Sequence, residues 1–538
     1  MSLRVTFLII ALVAAYGFLA YHLSELQLAK NDYYTARAAS EQQAAQSSSG
    51  IRGAIYFTDK NGATLPAALN QDFPIIYAVP SAIADPRKAA DAVSPILGIP
   101  VSKLVALFSR PNDSYELLER KASDNAAQKI SDLGLKGVYA DTEPDRFYPL
   151  GSVASQVLGY VGPDSVSNGE RGFYGIEQEY DSTLSNGTDI DLTIDPNIQL
   201  QAEKILNATI EQNGATGGSF IVEDPRTGKI LAMGATPDFD PNNYGSSSIA
   251  NFLNPTVESV YEPGSIFKVL TMAAGIDAGK ITPDTTYNDK GYVNVDHAHI
   301  TNYNLSEHGP YGPGTTMTEV IEYSINTGAI FAENQIGNST FASYIKKFGF
   351  GSLTGIDLPG EVKGDLGQLE NPKSPQVDFD TIAYGQGVAV TPIELISSIA
   401  AIANGGVMMR PYLNAALQPQ PISRTISTTT AAEVTQMMVA AVDKVPGAPA
   451  IKGYSIGGKT GSAFLPDLVH GGYTNKLVDS YVGFGPASNP EFVILIRLNA
   501  LPVTSLAVDS VVPAFKQLAQ YVINYYNIPP DRIGVGSQ

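Results

Sequence analysis

The sequence predicts a mixed α/β chain (α+β) in which an N-terminal transmembrane helix precedes an elongated α+β domain and a C-terminal α+β domain. Three observations support this fold class. At 538 residues the chain is longer than one hydrophobic core normally organises. An apolar run occupies residues 5–23. Near residue 216 the pattern changes from short scattered elements to apolar strands that enclose a helical middle.

The composition is that of a globular protein, with 44% hydrophobic and 16% charged residues. The 34 basic and 53 acidic residues give a net charge of −19, so most of the surface would repel a polyanion, and nucleic acid is not an expected partner. There is no cysteine, which excludes disulfides, thiolate metal sites and cysteine nucleophiles.

Residues 5–23 are apolar except for Thr6 and His22, and as a helix they are long enough to span a hydrocarbon core of about 30 Å. Only Arg4 and the α-amine precede them, which favours a cytoplasmic N-terminus. A cleaved signal peptide is the alternative, but the first small-x-small cluster, Ala36-Arg37-Ala38, lies well downstream of the apolar run. We expect an uncleaved, single-pass anchor in the cytoplasmic membrane, with the rest of the chain on its outer, periplasmic or extracellular side.

The chain divides by composition into segments of different character. Residues 24–50 are polar and alanine-rich and end in Gln-Ser-Ser-Ser-Gly, a pattern typical of a stalk that becomes a linker. Residues 51–215 show no constellation with evident chemistry, which favours a non-catalytic dimerisation or pedestal domain. The expected divisions are a cytoplasmic N-terminus (1–4), an anchor (5–23), a stalk (24–50), a pedestal (51–215), a catalytic domain (216–530) and a tail (531–538).

Apolar periodicity places the main elements of the last two domains. The pedestal is expected to contain a helix over residues 196–208, and the chain to close with a helix carrying Phe515, Leu518, Val522 and Tyr526 on one face. The predicted strands are residues 54–57, 189–194, 218–222, 230–233, 480–484 and 492–498.

A Pro-Gly turn leads into an apolar helix at Ser265-Ile-Phe-Lys268. Serine in the first helical turn and lysine three residues on lie on one face, within reach of each other. A neutral, desolvated amine can take the hydroxyl proton, and the helix N-terminus favours the developing negative charge. The pattern S-x-x-K is common, and it recurs at Ser343 to Lys346, so taken alone it does not identify a nucleophile.

Two downstream motifs distinguish the two copies. Ser324 and Asn326 are two residues apart in a tight turn, where Ser324 could relay a proton and Asn326 could hold a substrate amide or the lysine. Lys459 lies in Gly-Gly-Lys-Thr-Gly-Ser-Ala, in which glycines would let a substrate backbone approach as an added strand and the cation and hydroxyls suit a carboxylate. A glycine-rich turn is the alternative interpretation of that segment. Only Ser265 precedes both motifs, so Ser343 is interpreted as part of a surface helix.

No cofactor or metal is expected. His297, His299 and Asp296 could suggest a metal site, but with neighbouring Gly291 and Asn294 they are more typical of a polar loop. There is no phosphate-binding loop of the form G-x-x-x-x-G-K-[ST].

The order S-x-x-K, S-x-N, K-T-G is similar to the motif triple of class A β-lactamases and penicillin-binding proteins. Over nearly its whole length the chain resembles class B penicillin-binding proteins. The segments that carry this resemblance are 52–56 (RGAIY), 59–62 (DKNG), 146–149 (RFYP), 175–177 (GIE), 224–228 (DPRTG), 354–357 (TGID) and 385–387 (GQG). Two positions depart from the family pattern: Ile266 and Ser462 stand where threonine is frequent.

The resemblance implies a single membrane helix, an elongated non-catalytic domain, and a transpeptidase domain with a five-stranded antiparallel sheet between helical layers. It implies that Ser265 is the acylated nucleophile and Lys268 its base. Ser324 and Asn326 would line the cleft, and Lys459, Thr460, Gly461 and Ser462 would bind the substrate carboxylate. The backbone N–H groups of Ser265 and Ser462 would form the oxyanion hole.

The activity expected from this resemblance is peptidoglycan D,D-transpeptidation through an acyl-enzyme that β-lactams also form. The alternatives are a D,D-carboxypeptidase, a β-lactamase, or a scaffold of wall synthesis with a dispensable active site. Expected partners are peptidoglycan stem peptides, β-lactams, the cytoplasmic membrane, a membrane glycosyltransferase and other wall-synthesis proteins. The sequence does not distinguish a role in elongation and cell shape from one in division.

Overall fold

The computed structural model describes residues 16–18, 51–111, 113–164, 169–371, 373–467 and 470–532. The expected cytoplasmic residues 1–4, the anchor apart from residues 16–18, the stalk and most of the tail lie outside these ranges. Within them, no helix is both long enough and apolar enough to cross a membrane.

The described chain alternates strands and helices from residue 55 onward. The strands are β1 (Ile55–Thr58), β2 (Thr64–Ala78), β3 (Glu116–Glu119), β4 (Val138–Phe147), β5 (Tyr160–Pro163), β6 (Glu170–Phe173), β7 (Ile190–Leu192), β8 (Gly217–Asp224), β9 (Lys229–Thr236), β10 (Thr286–Asp289), β11 (Tyr292–Val295), β12 (Ala298–Thr301), β13 (Gly312–Thr316), β14 (Val407–Met409), β15 (Pro421–Arg424), β16 (Gly457–Pro466), β17 (Tyr473–Gly485) and β18 (Phe492–Pro502). The α-helices are α1 (Pro86–Leu97), α2 (Val101–Phe108), α3 (Asp124–Asp132), α4 (Ser155–Leu158), α5 (Gly175–Glu179), α6 (Asp181–Ser185), α7 (Pro196–Asn213), α8 (Pro255–Glu258), α9 (Phe267–Asp277), α10 (Leu305–His308), α11 (Met317–Glu322), α12 (Asn326–Ile336), α13 (Asn338–Lys347), α14 (Gln376–Ile382), α15 (Pro392–Ala403), α16 (Thr428–Lys444) and α17 (Ala507–Tyr526).

The first part of the chain is built on a five-stranded sheet around the long strand β2. β2 pairs antiparallel with β1, β3 and β4. β1 also pairs with β7, in parallel, so that residues 55–57 lie beside residues 190–192. A separate small core, which includes Ile76, Leu104 and Ile130, packs α1, α2 and α3 against β2 and β4. The parallel pairing brings the beginning and the end of this part together and closes it as a unit.

A buried ion network joins three segments of this part that are far apart in sequence. Each oxygen of the Glu177 carboxylate forms an ion pair with an arginine, one with Arg52 Nε at 2.8 Å and the other with Arg146 Nε at 2.7 Å. The Tyr148 hydroxyl also donates to Glu177, and Arg52 reaches Asp181 at 2.8 Å. Glu177 is fully buried, and Arg146 is 3% exposed. The segments RGAIY, RFYP and GIE therefore converge on one charged cluster.

The second part is centred on a five-stranded antiparallel sheet in the order β16-β17-β18-β8-β9. Successive side chains of a strand point to opposite faces, and in β18 both faces are buried. Val493 and Leu495 belong to the core that contains α9 and α15, whereas Ile494 and Ile496 belong to the core that contains α7 and α17. The sheet therefore lies between two helical layers.

The structure confirms the predicted strands at residues 218–222, 230–233, 480–484 and 492–498 and the closing helix. One alternative and one local expectation are wrong. The alternative interpretation of Gly457–Pro466 as a glycine-rich turn does not hold, because this segment is the edge strand β16. Residues 292–301 form the hairpin β11–β12 rather than a polar loop, with Asp296 and His297 in its turn. The glycines of β16 are explained by its packing, because a strand accommodates glycine where neighbouring atoms leave no room for a Cβ. A Cβ on Gly458, for example, would lie 2.0 Å from the Tyr481 hydroxyl oxygen.

Candidate active site

Ser265 lies in a short 3₁₀ turn, Gly264–Ile266, that runs directly into α9. Gly264 makes this turn possible in two ways. Its φ of +55° is left-handed, and a Cβ there would come within 2.5 Å of the Ser462 carbonyl oxygen. The Gly264 N–H donates to Gly385 O at 3.1 Å. The nucleophile turn is therefore held between the loop at Gly385 and strand β16.

Lys268 lies one helical turn after Ser265, and its Nζ is 2.9 Å from Ser265 Oγ. The lysine side chain is fully buried in α9. Burial lowers the pKa of Lys268 well below its ordinary value, and the positive charge of Lys459 lowers it further. A neutral amine within hydrogen-bond distance of a hydroxyl can accept its proton, which is what general-base activation of a serine requires.

Ser324 lies in the connection between α11 and α12, and its φ is +58°. A non-glycine residue in this region is uncommon, and such residues are concentrated at functional sites. The strained backbone places Ser324 Oγ between two amines, 3.2 Å from Lys268 Nζ and 3.0 Å from Lys459 Nζ. Ser324 O also accepts from Lys268. The hydroxyl can therefore pass a proton between the two lysines.

Lys459 reaches the site from the edge strand β16, where it pairs with Val482 of β17. Only 4% of the residue is exposed, and burial lowers its pKa to about 7. Its Nζ also lies 3.2 Å from Thr460 Oγ1. A cation beside a hydroxyl at the open edge of a sheet suits a ligand that carries a carboxylate.

The remaining predicted site residues surround this cluster. Asn326 begins α12, and its amide nitrogen donates to Thr301 O at 3.0 Å, whereas the hydrogen-bond partners of Lys268 Nζ are Ser265 and Ser324. Gly461 faces the nucleophile turn, since a Cβ there would lie 2.5 Å from Pro263 O. The Ser462 hydroxyl donates to Asp479 Oδ1 at 2.6 Å. The structure therefore brings Ser265, Lys268, Ser324 and Lys459 into contact, with Asn326, Thr460, Gly461 and Ser462 around them.

Sequence reasoning missed Asp479. This residue is fully buried in β17 and is the cross-strand partner of Ser462. The signal was present, because a lone carboxylate beside an otherwise apolar predicted strand is unusual unless the group has partners. Its partner could not be named, however, because β16 was not predicted as a strand.

The second S-x-x-K pair lies on α13, away from the cluster. Ser343 is exposed, and Lys346 pairs across the surface with Glu370 at 3.3 Å. The interpretation of this copy as part of a surface helix is confirmed. Within the described ranges, no three His, Cys, Asp or Glu side chains come together in a way that would hold a metal ion.

Comparison with known proteins gives two matching family models. One, described as the penicillin binding protein transpeptidase domain, matches residues 218–519. The other, described as the penicillin-binding protein dimerisation domain, matches residues 47–193.

Named relatives and a solved structure agree with these matches. Stage V sporulation protein D of Bacillus subtilis is 32% identical over 489 residues, which cover 82% of this chain and 73% of the relative. Peptidoglycan D,D-transpeptidase FtsI of Escherichia coli K12 is 26% identical over 576 residues, which cover 100% of this chain and 94% of the relative. Penicillin-binding protein 3 of Mycobacterium tuberculosis, solved in complex with aztreonam, has the same fold, with a TM-score of 0.68 at 24% identity over 90% of this chain and 97% of the other. Because the transpeptidase model alone matches more than half of the chain, this protein belongs to the penicillin-binding protein family.

Proposed function

We propose that this protein is a peptidoglycan D,D-transpeptidase that forms its acyl-enzyme on Ser265. The single observation that carries the proposal is the contact of 2.9 Å between Ser265 Oγ and the buried Lys268 Nζ. The names of relatives such as the D,D-transpeptidase FtsI support the same reaction.

In the first step Lys268 accepts the Ser265 proton while Oγ attacks the carbonyl of the penultimate D-Ala of a stem peptide. The proton that Lys268 has accepted passes through the Ser324 hydroxyl, which lies between Lys268 and Lys459, to the departing amine of the terminal D-Ala. The peptide C–N bond breaks as the ester to Ser265 forms. In the second step an amine from a neighbouring strand attacks the ester carbonyl and forms the new C–N bond; Lys268 accepts the proton of the amine and passes it to Ser265 Oγ as the C–O bond to the serine breaks.

The backbone N–H groups of Ser265 and Ser462 are proposed to stabilise the oxyanion that develops in both steps. The close contact between Gly264 and the Ser462 backbone supports this pairing, because it keeps the two residues adjacent. In other enzymes, removal of one preorganised donor of this kind typically lowers the rate by a factor of about 10² to 10³.

The donor peptide is proposed to lie along the open edge of β16. Lys459 and Thr460 would bind its terminal carboxylate, and Gly461 would allow the backbone to approach. Asn326 would hold a substrate amide through the oxygen of its side chain, since the nitrogen is engaged with Thr301. β-Lactams would enter the same groove and acylate the same serine.

We propose further that residues 51–215 are a non-catalytic pedestal and residues 216–530 the transpeptidase domain. The apolar run at residues 5–23 supports a single-pass location in the cytoplasmic membrane with the catalytic domain outside. A glycosyltransferase of the membrane and other wall-synthesis proteins are the expected partners, because transpeptidation needs a polymerised glycan strand.

Labelling with fluorescent penicillin tests the nucleophile, using the full-length wild type and the variants Ser265→Ala and Ser343→Ala. The Ser343→Ala variant is the matched control, because it removes the serine of the surface S-x-x-K pair. We expect label on the wild type and on Ser343→Ala and none on Ser265→Ala. Equal labelling of Ser265→Ala would overturn the assignment. Product analysis with and without an added amine acceptor then separates transpeptidation from hydrolysis.

A further inference from the structure

Asp479 is a buried carboxylate next to β16, the strand that carries Lys459 and Thr460. It is fully buried in β17, opposite Ser462 of β16. Three hydroxyl groups donate to it: Ser462 at 2.6 Å, Ser510 at 2.7 Å and Ser505 at 3.0 Å. Asp479 forms no ion pair with any of the described residues. Its side-chain contacts are therefore these three hydroxyl groups.

The hydrogen bond to Asp479 decides what Ser462 can offer a ligand. A serine hydroxyl has one proton and two lone pairs. Because Ser462 gives that proton to Asp479, its exposed oxygen can only accept a hydrogen bond from a bound molecule. A substrate carboxylate also only accepts, so Ser462 and a carboxylate would present lone pairs to each other.

We propose that Asp479 is a positioning residue that withholds the Ser462 proton from the substrate, so that the carboxylate of the donor is bound by Lys459 and Thr460 alone. The inference rests on the proposed transpeptidase function and deepens it by stating the donor specificity. The enzyme should prefer a donor that ends in a carboxylate over one that ends in an amide by less than Lys459 and Thr460 alone would give, because an amide N–H can donate to Ser462.

Two thioester donors that share one acyl group measure this specificity. One releases thioglycolate, which carries a carboxylate, and the other releases thioglycolamide. In both, Ser265 Oγ bonds to the carbonyl carbon, the C–S bond breaks, and the thiol leaves with the serine proton, so thiol release reports the same step. The ratio of kcat/KM for the acid to that for the amide isolates recognition of the terminal group.

In the full-length Asp479→Ala variant, Ser462 regains a proton to donate, and we expect the acid-to-amide ratio to rise about tenfold, as for one hydrogen bond to a charged group. Asp479→Asn removes the charge but keeps an acceptor for Ser462, so its ratio should rise less. Ser510→Ala is the matched control, since it removes a different donor to Asp479, and it should leave the ratio unchanged. An unchanged ratio in Asp479→Ala would overturn the proposal.

Two further variants establish whether Asp479 acts through Ser462. In the double variant with Ser462→Ala, the Asp479→Ala substitution should no longer change the ratio, because the hydroxyl is gone. Ser462→Ala alone should raise the ratio, because it removes the acceptor that serves the amide and the lone pair that opposes the carboxylate, whereas a hydroxyl that donates to the carboxylate in the wild type would give a loss of about tenfold. This second result tests the proposal even if Asp479→Ala does not fold. Absence of any acylation of wild-type Ser265 would instead contradict the proposed function.

Discussion

Lys268 and Lys459 share one hydroxyl group, because Ser324 Oγ lies 3.2 Å from the first amine and 3.0 Å from the second. Both lysines are buried, and no described carboxylate raises the pKa of either. Two cations without a counter-charge are costly to keep protonated side by side. Burial and the charge of Lys459 together lower the pKa of Lys268, which favours Lys268 as the neutral base, whereas burial alone lowers the pKa of Lys459 to about 7, and the two titrate as a coupled pair.

This division predicts a bell-shaped pH profile for penicillin acylation. As the pH falls through the lowered pKa of Lys268, this amine gains a proton and can no longer act as base, so the rate should decrease. As the pH rises above about 7, Lys459 loses its proton, and binding of the carboxylate should weaken. The measurement is the second-order acylation rate between pH 5 and pH 10. A rate that is constant across this range would contradict the assignment of the two roles.

The Lys459→Met variant gives a second test of the coupling. Without the charge of Lys459, the pKa of Lys268 should rise towards its ordinary value, because one of the two causes of its depression is removed. The residual acylation by this variant should therefore need a higher pH than acylation by the wild type. If the acidic limb of the pH profile lies at the same pH in Lys459→Met as in the wild type, the two lysines are not coupled.

Lys459→Met should also increase stability. The folded state lowers the pKa of Lys459 from 10.5 to about 7, so between these values the unfolded chain binds more protons and the free energy of unfolding rises with pH. At pH 7 and below, the folded wild type carries the cost of burying the cation, and methionine removes it. We expect a gain of roughly 2 kcal/mol or more there, since one pKa unit is about 1.4 kcal/mol. The gain should vanish above pH 10.5, the ordinary pKa of lysine.

Urea denaturation at pH 6.5 and pH 10.5 measures this effect, with Lys346→Met as the matched control. Lys346 is an exposed lysine whose partner, Glu370, is also exposed, so its replacement should change stability little at either pH. A Lys459→Met variant less stable than the wild type at pH 6.5 would contradict the prediction.

The parts of the site that follow from local geometry were predicted from the sequence. Ser265 and Lys268 are three residues apart on one helix, and helical spacing alone places them together. Ser324 and Lys459 lie far away in sequence, and only their order after Ser265 indicated that they belong to the same site. The strand β16 was missed because glycine lowers strand propensity, and the packing that requires Gly458 and Gly461 is visible only in three dimensions.

The same limit applies to the buried charges. Arg52, Arg146 and Glu177 were recognised as separate landmarks, but nothing in their spacing says that one carboxylate binds both guanidinium groups. Asp479 was missed because its partner is set by the register of two strands, and a shift of one residue would send its side chain to the opposite face.

Gly264→Ala should abolish acylation without unfolding the protein. A Cβ at this position would lie 2.5 Å from the Ser462 carbonyl oxygen, which belongs to the backbone of β16 and cannot move aside independently. The turn that carries Ser265 would have to separate from β16, and displacement of a reacting group by about 1 Å can cost about a hundredfold in rate. Penicillin acylation and circular dichroism measure the two properties.

Gly279→Ala is the matched control for this substitution. Gly279 follows α9 at its other end, has a similar φ of +66°, and has open space where a Cβ would stand. Its replacement introduces the strain of a left-handed alanine, about 1 kcal/mol, but no steric contact. Acylation by Gly279→Ala should remain near that of the wild type. Equal loss of activity in both variants would show that backbone strain, not contact with Ser462, is responsible.

Glu177→Gln should destabilise the pedestal strongly, because it leaves Arg52 and Arg146 buried with no carboxylate between them. Removing one partner of a buried ion pair typically costs about 3 to 5 kcal/mol. Asp91→Asn is the matched control: Asp91 pairs with Arg87 on an exposed surface of α1, where 53% and 73% of the two side chains are accessible. Such pairs contribute at most about 1 kcal/mol. Urea denaturation should therefore separate the two variants clearly, and equal midpoints would show that the network at Glu177 does not hold the three segments together.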